Sequence, residues 1–215
     1  MVVQFFMYDL KWFYYLLVSY FAGINIDDLR LFWKYFLRWN GWVIEGIYPY
    51  SLPKLVIAVA PHTSSRDFII GLAVRSVLRL YHIRYLGKAE LFRPPFGFIF
   101  KMLGGTPVDR SAQKNLVEQV VDRFNTAEKF TLALSPEGTR KRVVRLKTGF
   151  YHIALKTGSP ILPISFDFAE RKIRLAPPFH PTGNMEADFR ELLKFWAPCR
   201  GYHRKGDLFH LMPEE

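Results

Sequence analysis

Residues 55–60 read LVIAVA, an unbroken apolar run closed off by Pro53 and Pro61. A short run of this kind, with no polar alternation, reads as a strand buried on both faces. Two comparable runs follow, TLAL at 131–134 and a third strand over 161–168. Helical patterns lie between them: 68–80, then 111–125 with Leu116, Val120 and Phe124 at four-residue steps, then 149–157. Residues 84–86 read as a short strand, 172–175 as a further one and 186–196 as a last helix, with loop from Pro198 onward. Strands alternating with helices predict an α/β fold, with a central mixed, largely parallel sheet covered by helices. That domain is assigned to residues 51–215.

Residues 1–50 have another character. They hold 17 of the chain's 36 aromatic side chains, among them Trp12, Trp33, Trp39 and Trp42. Residues 1–24 are long enough to span a bilayer, but Asp9 and Lys11 near mid-span would cost ~2.5–3.5 kcal/mol each. A secretory signal also fits poorly, because no basic segment opens the run. Residues 26–39 predict a second helix, with Asp27, Arg30, Lys34 and Arg38 on one narrow stripe and Leu, Phe, Trp and Tyr elsewhere. A thin charged stripe opposite a broad aromatic face suits a helix lying in a membrane interface. With the turn at Gly23, Ile24 and Asn25, this predicts an N-terminal aromatic helical hairpin that docks on a membrane. The plainer reading packs both helices on the core or against a second copy.

Charge separates the regions further. The chain carries thirty Lys and Arg against nineteen Asp and Glu, and +10 of the net +11 falls within residues 51–150. An anionic partner follows: a nucleic acid, a membrane surface or a phosphorylated substrate. The cations of the middle are not interleaved with aromatics suited to stacking bases, which argues against nucleic acid. A single cysteine, Cys199, excludes a disulfide framework and a thiolate metal cluster.

Three loops carry candidate chemistry. The first follows strand 55–60 and reads Pro61-His62-Thr63-Ser64-Ser65-Arg66-Asp67. Within one helix His62 and Asp67 would be ~140° apart. They meet only if His62 precedes the helix and Asp67 lies in its first turn, as in a capping box begun by Ser64. Such a pair makes a general base, the carboxylate fixing the imidazole tautomer; otherwise Asp67 is a cap and His62 a turn residue. The second loop, GGTPVDR at 104–110, ends in Arg110, a guanidinium able to grip phosphate or to pair with Asp109. The third, Ser135-Pro136-Glu137-Gly138-Thr139-Arg140, leads into a cluster of Arg140, Lys141, Arg142, Arg145 and Lys147. It suits an anionic head group, or is a solvated basic loop.

Taken in order, these loops resemble the motifs of the glycerolipid acyltransferases, the 1-acylglycerol-3-phosphate acyltransferase family. His62 and Asp67 match its His-x4-Asp, GGTPVDR its glycine-led stretch ending in Arg, Glu137 to Arg140 its Glu-Gly-Thr-Arg, and PILPISF, with Pro160 and Pro163, its proline-containing strand. The likeness covers roughly residues 52–168. Ser65-Arg66 stands where many relatives have an aromatic or Asn-Trp, a departure that bears on lipid specificity.

The resemblance implies transfer of a fatty acyl group from acyl-CoA or an acyl-carrier protein to a lysolipid hydroxyl, most simply 1-acylglycerol-3-phosphate, giving phosphatidic acid. It implies His62 as base and Asp67 as its orienting acid. Arg110, Glu137, Gly138, Thr139 and Arg140 would hold the acceptor, with the two arginines on its phosphate and Glu137 on an arginine or a glycerol hydroxyl. Lys88 and Lys147 are weaker anion contacts. No metal and no cofactor beyond the thioester substrate is expected, and the partners are membrane lipids at the cytoplasmic face, with a bacterial inner membrane the favoured setting. Other lysophospholipids, a lyso-ornithine lipid or a glycolipid remain open as acceptors. A hydrolase using Ser64 or Ser65 lacks the Gly-x-Ser-x-Gly elbow, and a non-enzymatic basic membrane module would leave the paired motifs without a purpose.

Overall fold

A computed structural model describes residues 26–94, 97–108 and 113–212. The first of the two expected front helices, and with it the hairpin, lies outside the described residues.

Seven strands form one sheet in the order β1-β7-β6-β2-β5-β3-β4. They are β1 (Val43–Glu45), β2 (Lys54–Val59), β3 (Arg84–Lys88), β4 (Gly105–Val108), β5 (Phe130–Leu134), β6 (Ile161–Asp167) and β7 (Lys172–Leu175). Neighbours run parallel except β6 and β7, which are antiparallel. The helices are α1 (Ile26–Trp39), α2 (Arg66–Val77), α3 (Gly97–Met102), α4 (Gln113–Thr126), α5 (Gly149–Thr157) and α6 (Met185–Trp196). The α/β architecture with a largely parallel sheet is therefore the one the alternation predicts.

The run LVIAVA has its physical reason in this arrangement. Successive side chains of a strand point to opposite faces. Leu55 and Ile57 join one core with Trp33 and Leu37 of α1 and Ile70, Ala73 and Val74 of α2. Val56 and Ala58 join the other with Phe124 of α4, Phe150 and Tyr151 of α5, and Trp196 of α6. With helices on both faces, β2 has no wet side and needs no polar alternation.

The edges were harder to foresee. β4 contains Gly105 and Pro107 and reads as a loop, yet it pairs with β3 at the sheet margin. Proline is tolerated there because an edge strand need not donate on its outer side. α1 has two apolar faces. Trp33 and Leu37 are buried, and Arg30 Nε donates to the Val77 carbonyl near the end of α2 at 3.1 Å. Leu31, Phe32, Tyr35 and Trp39 are exposed, Trp39 to 92%. Among the described residues, no helix is long and apolar enough to cross a membrane.

Candidate active site

β2 and β5 are parallel neighbours, with Ala58 beside Leu134. The loops that leave their carboxyl ends therefore emerge side by side, at the edge where open α/β sheets bind ligands. This joins residues 75 positions apart: the His62 N–H donates to Glu137 Oε1 at 2.6 Å.

The loop after β2 turns on Asp67, the second residue of α2. Asp67 Oδ2 lies 3.0 Å from His62 Nδ1. The same oxygen accepts the N–H groups of Thr63 at 2.8 Å and Ser64 at 2.9 Å. The capping box expected from Ser64 does not form: Ser65 is the N-cap of α2 and makes no side-chain cap, the Ser64 hydroxyl turns to the Arg66 N–H at 3.2 Å, and only the backward reach of Asp67 is present. The Asp67 side chain is 2% exposed and that of His62 29%. A carboxylate oxygen accepts, so a neutral imidazole in this contact carries its hydrogen on Nδ1 and presents the Nε2 lone pair. The pair thus has the orientation of a general base.

Glu137 is 1% exposed. Burial pushes its carboxyl up to about 8, and the nearby charges of Asp67 and Asp207 push the same way, against the His62 N–H. Burial thus favours the protonated form of this acid, which holds the histidine loop through the His62 N–H. The sequence predicted an arginine or a glycerol hydroxyl as its partner; the bond the structure gives it is to the backbone of His62. Sequence reasoning had no means to see this, since it depends on which strands lie side by side.

The rest of the Glu-Gly-Thr-Arg loop is exposed. Gly138 has φ +64°, and the Lys147 stem lies 3.4 Å from where a β-carbon would sit. The Thr139 hydroxyl accepts from the Lys141 N–H at 3.3 Å, and the Lys147 N–H donates to the Pro136 carbonyl at 2.6 Å. Thr139 thus shapes the turn and Lys147 packs beneath it. Lys88 ends β3; Arg110 lies outside the described residues.

A cleft of about 430 Å³ is lined by Thr63, Ser64, Ser65, Arg140, Tyr202 and His203. One wall is a strap over residues 200–207, which the sequence predicts as loop and which holds a 3-10 turn at Arg204–Gly206. The His203 N–H donates to Thr63 Oγ1 at 3.1 Å. Gly201 and Gly206 press on Thr63: a β-carbon on either would meet its methyl at 2.5 and 2.7 Å. Asp207 ties the strap to itself, accepting from the Gly201 N–H at 2.8 Å and Arg200 Nη1 at 3.2 Å. Arg66 lies over the Tyr202 ring at 4.1 Å. The two glycines bracketing a polar stretch were the available signal, and they are weak.

Fold and cleft together define an α/β domain with a carboxylate-anchored histidine beside a cationic loop at the strand ends. The chain belongs to the family described as Acyltransferase, whose model matches residues 49–167, more than half of the chain. It is 26% identical over 125 residues to the 1-acyl-sn-glycerol-3-phosphate acyltransferase of Escherichia coli, covering 55% of this chain and 49% of the relative. It is 31% identical over 94 residues to the enzyme of that name from Haemophilus influenzae, covering 41% and 39%. The chain thus spans about half or less of these curated relatives. Its fold is similar to the crystal structure of a 1-acyl-sn-glycerophosphate acyltransferase from Thermotoga maritima, with a TM-score of 0.54 at 18% identity, over 94% of this chain and 90% of the other.

Proposed function

We propose that the chain transfers a fatty acyl group from an acyl thioester to the free hydroxyl of a lysolipid, with 1-acylglycerol-3-phosphate as acceptor. The observation that carries this reading is the His62 Nδ1–Asp67 Oδ2 contact of 3.0 Å on a loop beside Arg140. A hydroxyl is a weak nucleophile at neutral pH. His62 Nε2 takes its proton as the oxygen attacks the thioester carbonyl, and Asp67 stabilises the imidazolium that forms. As the tetrahedral intermediate collapses, the carbon–sulfur bond breaks and the thiolate receives that proton. An ester and a free thiol result, the base is restored, and no acyl-enzyme is needed.

Arg140 on the cleft rim suits the acceptor's phosphate, and Arg110 is assigned to the same phosphate by its motif. Glu137 acts through His62: it fixes the loop and does not touch the lipid. Lys88 and Lys147 remain lesser anion contacts. No metal or further cofactor enters the scheme. We place the protein on a membrane surface, its substrates being amphiphiles. The exposed apolar face of α1 and the basic middle of the chain support that placement.

The test is product identification by mass spectrometry. Palmitoyl-CoA or a palmitoyl-carrier protein is supplied with a panel of lysophosphatidic acid, neutral and zwitterionic lysolipids, and lyso-ornithine lipid. Phosphatidic acid as the dominant product supports the reading. A diacyl product from an acceptor without a terminal phosphate, and none from lysophosphatidic acid, would refute the acceptor.

A further inference from the structure

His210 stands on the short turn Phe209–Leu211 that follows the strap, outside the motifs of the three loops. Its ring spans two segments that are distant in the chain. Nδ1 lies 2.9 Å from the Asp207 carbonyl, at the end of the strap. Nε2 lies 2.7 Å from the Val143 carbonyl, in the basic loop that begins at Arg140. A carbonyl oxygen only accepts. A neutral imidazole has one N–H and can satisfy one of these contacts; the doubly protonated ring satisfies both.

The bridge matters because of what it joins. The cleft takes Arg140 from the basic loop and Tyr202 and His203 from the strap. The two segments meet beside it: a β-carbon on Gly206 would lie 4.0 Å from the Arg140 carbonyl. Residues 138–142 of the loop and 203–205 of the strap are exposed, so core packing does not set their spacing. The acids on the elements packed around this turn have partners of their own. Asp207 accepts from the Gly201 N–H at 2.8 Å and from Arg200 at 3.2 Å. On α6, which packs against the turn, Asp188 accepts from the Tyr151 hydroxyl at 2.7 Å, Glu186 pairs with Arg190 at 3.3 Å and Glu191 with Lys194 at 2.6 Å. The other charged groups here are cations, Arg140, Lys141, Arg142, Arg145 and Lys147 on the loop and Arg204 and Lys205 on the strap. The ring is thus shared between two neutral carbonyls. We propose that His210 is a positioning residue: doubly protonated, it fastens the strap to the basic loop and so sets the spacing across which the acceptor's phosphorylated head group binds. The inference rests on the acyltransferase reading, in which Arg140 takes that phosphate. His210 does not line the cleft and acts through the walls that do. Loss of one ring proton releases one wall, loosening the grip on the head group and leaving the His62–Asp67 pair as it was.

The test combines spin-label distances with steady-state kinetics on the full chain. Labels are placed at Val144 and Arg204, both exposed. The titration of His210 is followed by histidine NMR, its signal assigned by its absence from His210→Gln. The wild-type pH series reads the bridge with His210 in place; His210→Gln cannot donate from two sides of a ring, and His210→Arg keeps several N–H donors and its charge throughout. The distance distribution should be narrow while His210 is doubly protonated and should broaden as it titrates. The KM for lysophosphatidic acid should rise about fivefold over the same interval, in keeping with a lost charge-assisted contact. His210→Gln should show the broad distribution and the raised KM at every pH with kcat maintained, and His210→Arg should lack the step. Distances that follow neither the titration nor His210→Gln overturn the bridge. Loosened walls with an unchanged KM overturn the positioning role and leave the acyltransferase reading intact. Loosened walls with no transfer to any lysolipid refute that reading instead and support the bridge.

Discussion

The loop that carries His62 and the strap that faces it across the cleft are fixed by different means. The loop is held from beneath by buried carboxyls. Asp67 gathers the His62 ring and two backbone N–H groups on one oxygen, and Glu137 takes a third N–H from the adjoining strand end. The strap is held from the side, by one hydrogen bond to Thr63, two glycines pressed against its methyl and the self-contained clamp of Asp207. The loop carries the most buried hydrogen bonds around His62, the proposed base. The strap is shaped by contact, and its Tyr202 and His203 line the cleft. In the proposed function, chemistry falls to the His62 loop and recognition to the wall opposite.

The sharpest way to break this contrast is at Asp67. Asp67→Asn should lower kcat by on the order of 10³-fold with the fold preserved, since the tautomer of His62 is no longer enforced. Circular dichroism and steady-state kinetics check it, and near-normal turnover would mean that the carboxylate only caps the helix.

Glu137 tests the buried side in a second way. Its folded-state value is raised to about 8 from an ordinary 4.5, so the folded protein holds this proton more tightly than the unfolded chain does. The contribution to stability is complete below about pH 4.5 and is lost as pH rises toward 8. Glu137→Gln keeps an acceptor for the His62 N–H and has no proton to lose. Urea unfolding between pH 5 and 8.5 should show the wild type losing on the order of a few kcal/mol relative to the variant. Parallel pH profiles would contradict the buried-acid assignment.

On the strap side, Gly201→Ala should cost about 1–3 kcal/mol of overpacking against Thr63, with a raised KM for lysolipid. Unchanged thermal unfolding would show that the strap gives way without consequence. The smallest effect lies farthest from the cleft. Trp39→Ser on the exposed face of α1 should weaken liposome sedimentation by a few-fold and leave turnover in detergent untouched. Equal sedimentation would assign the membrane contact to the basic middle of the chain.

The same contrast decides what the sequence could reveal. β2 was legible because burial on both faces leaves an unbroken apolar signature. His62 and Asp67 were legible as a pair because both sit on one short loop, where spacing and helix start determine whether they meet. The partner of Glu137 was not, because it follows from β2 lying beside β5, a fact of topology carried by no local pattern. β4 was hidden by a glycine and a proline that only an edge strand tolerates. The strap was hidden for a further reason: Gly201, Gly206 and Asp207 acquire meaning only from Thr63, more than a hundred positions earlier in the chain. α1 was half legible, its aromatic surface being evident and its division into a buried and an exposed face depending on α2.

The central claim, that His62 is the base for acyl transfer to a lysolipid hydroxyl, is tested most directly by thiol release from palmitoyl-CoA in detergent. Wild type and His62→Ala are compared with and without oleoyl-lysophosphatidic acid. Release that requires the lysolipid and disappears in His62→Ala, with the variant still folded and still bound to liposomes, is the predicted result. Release that proceeds without lysolipid, or that survives loss of the imidazole, would contradict it.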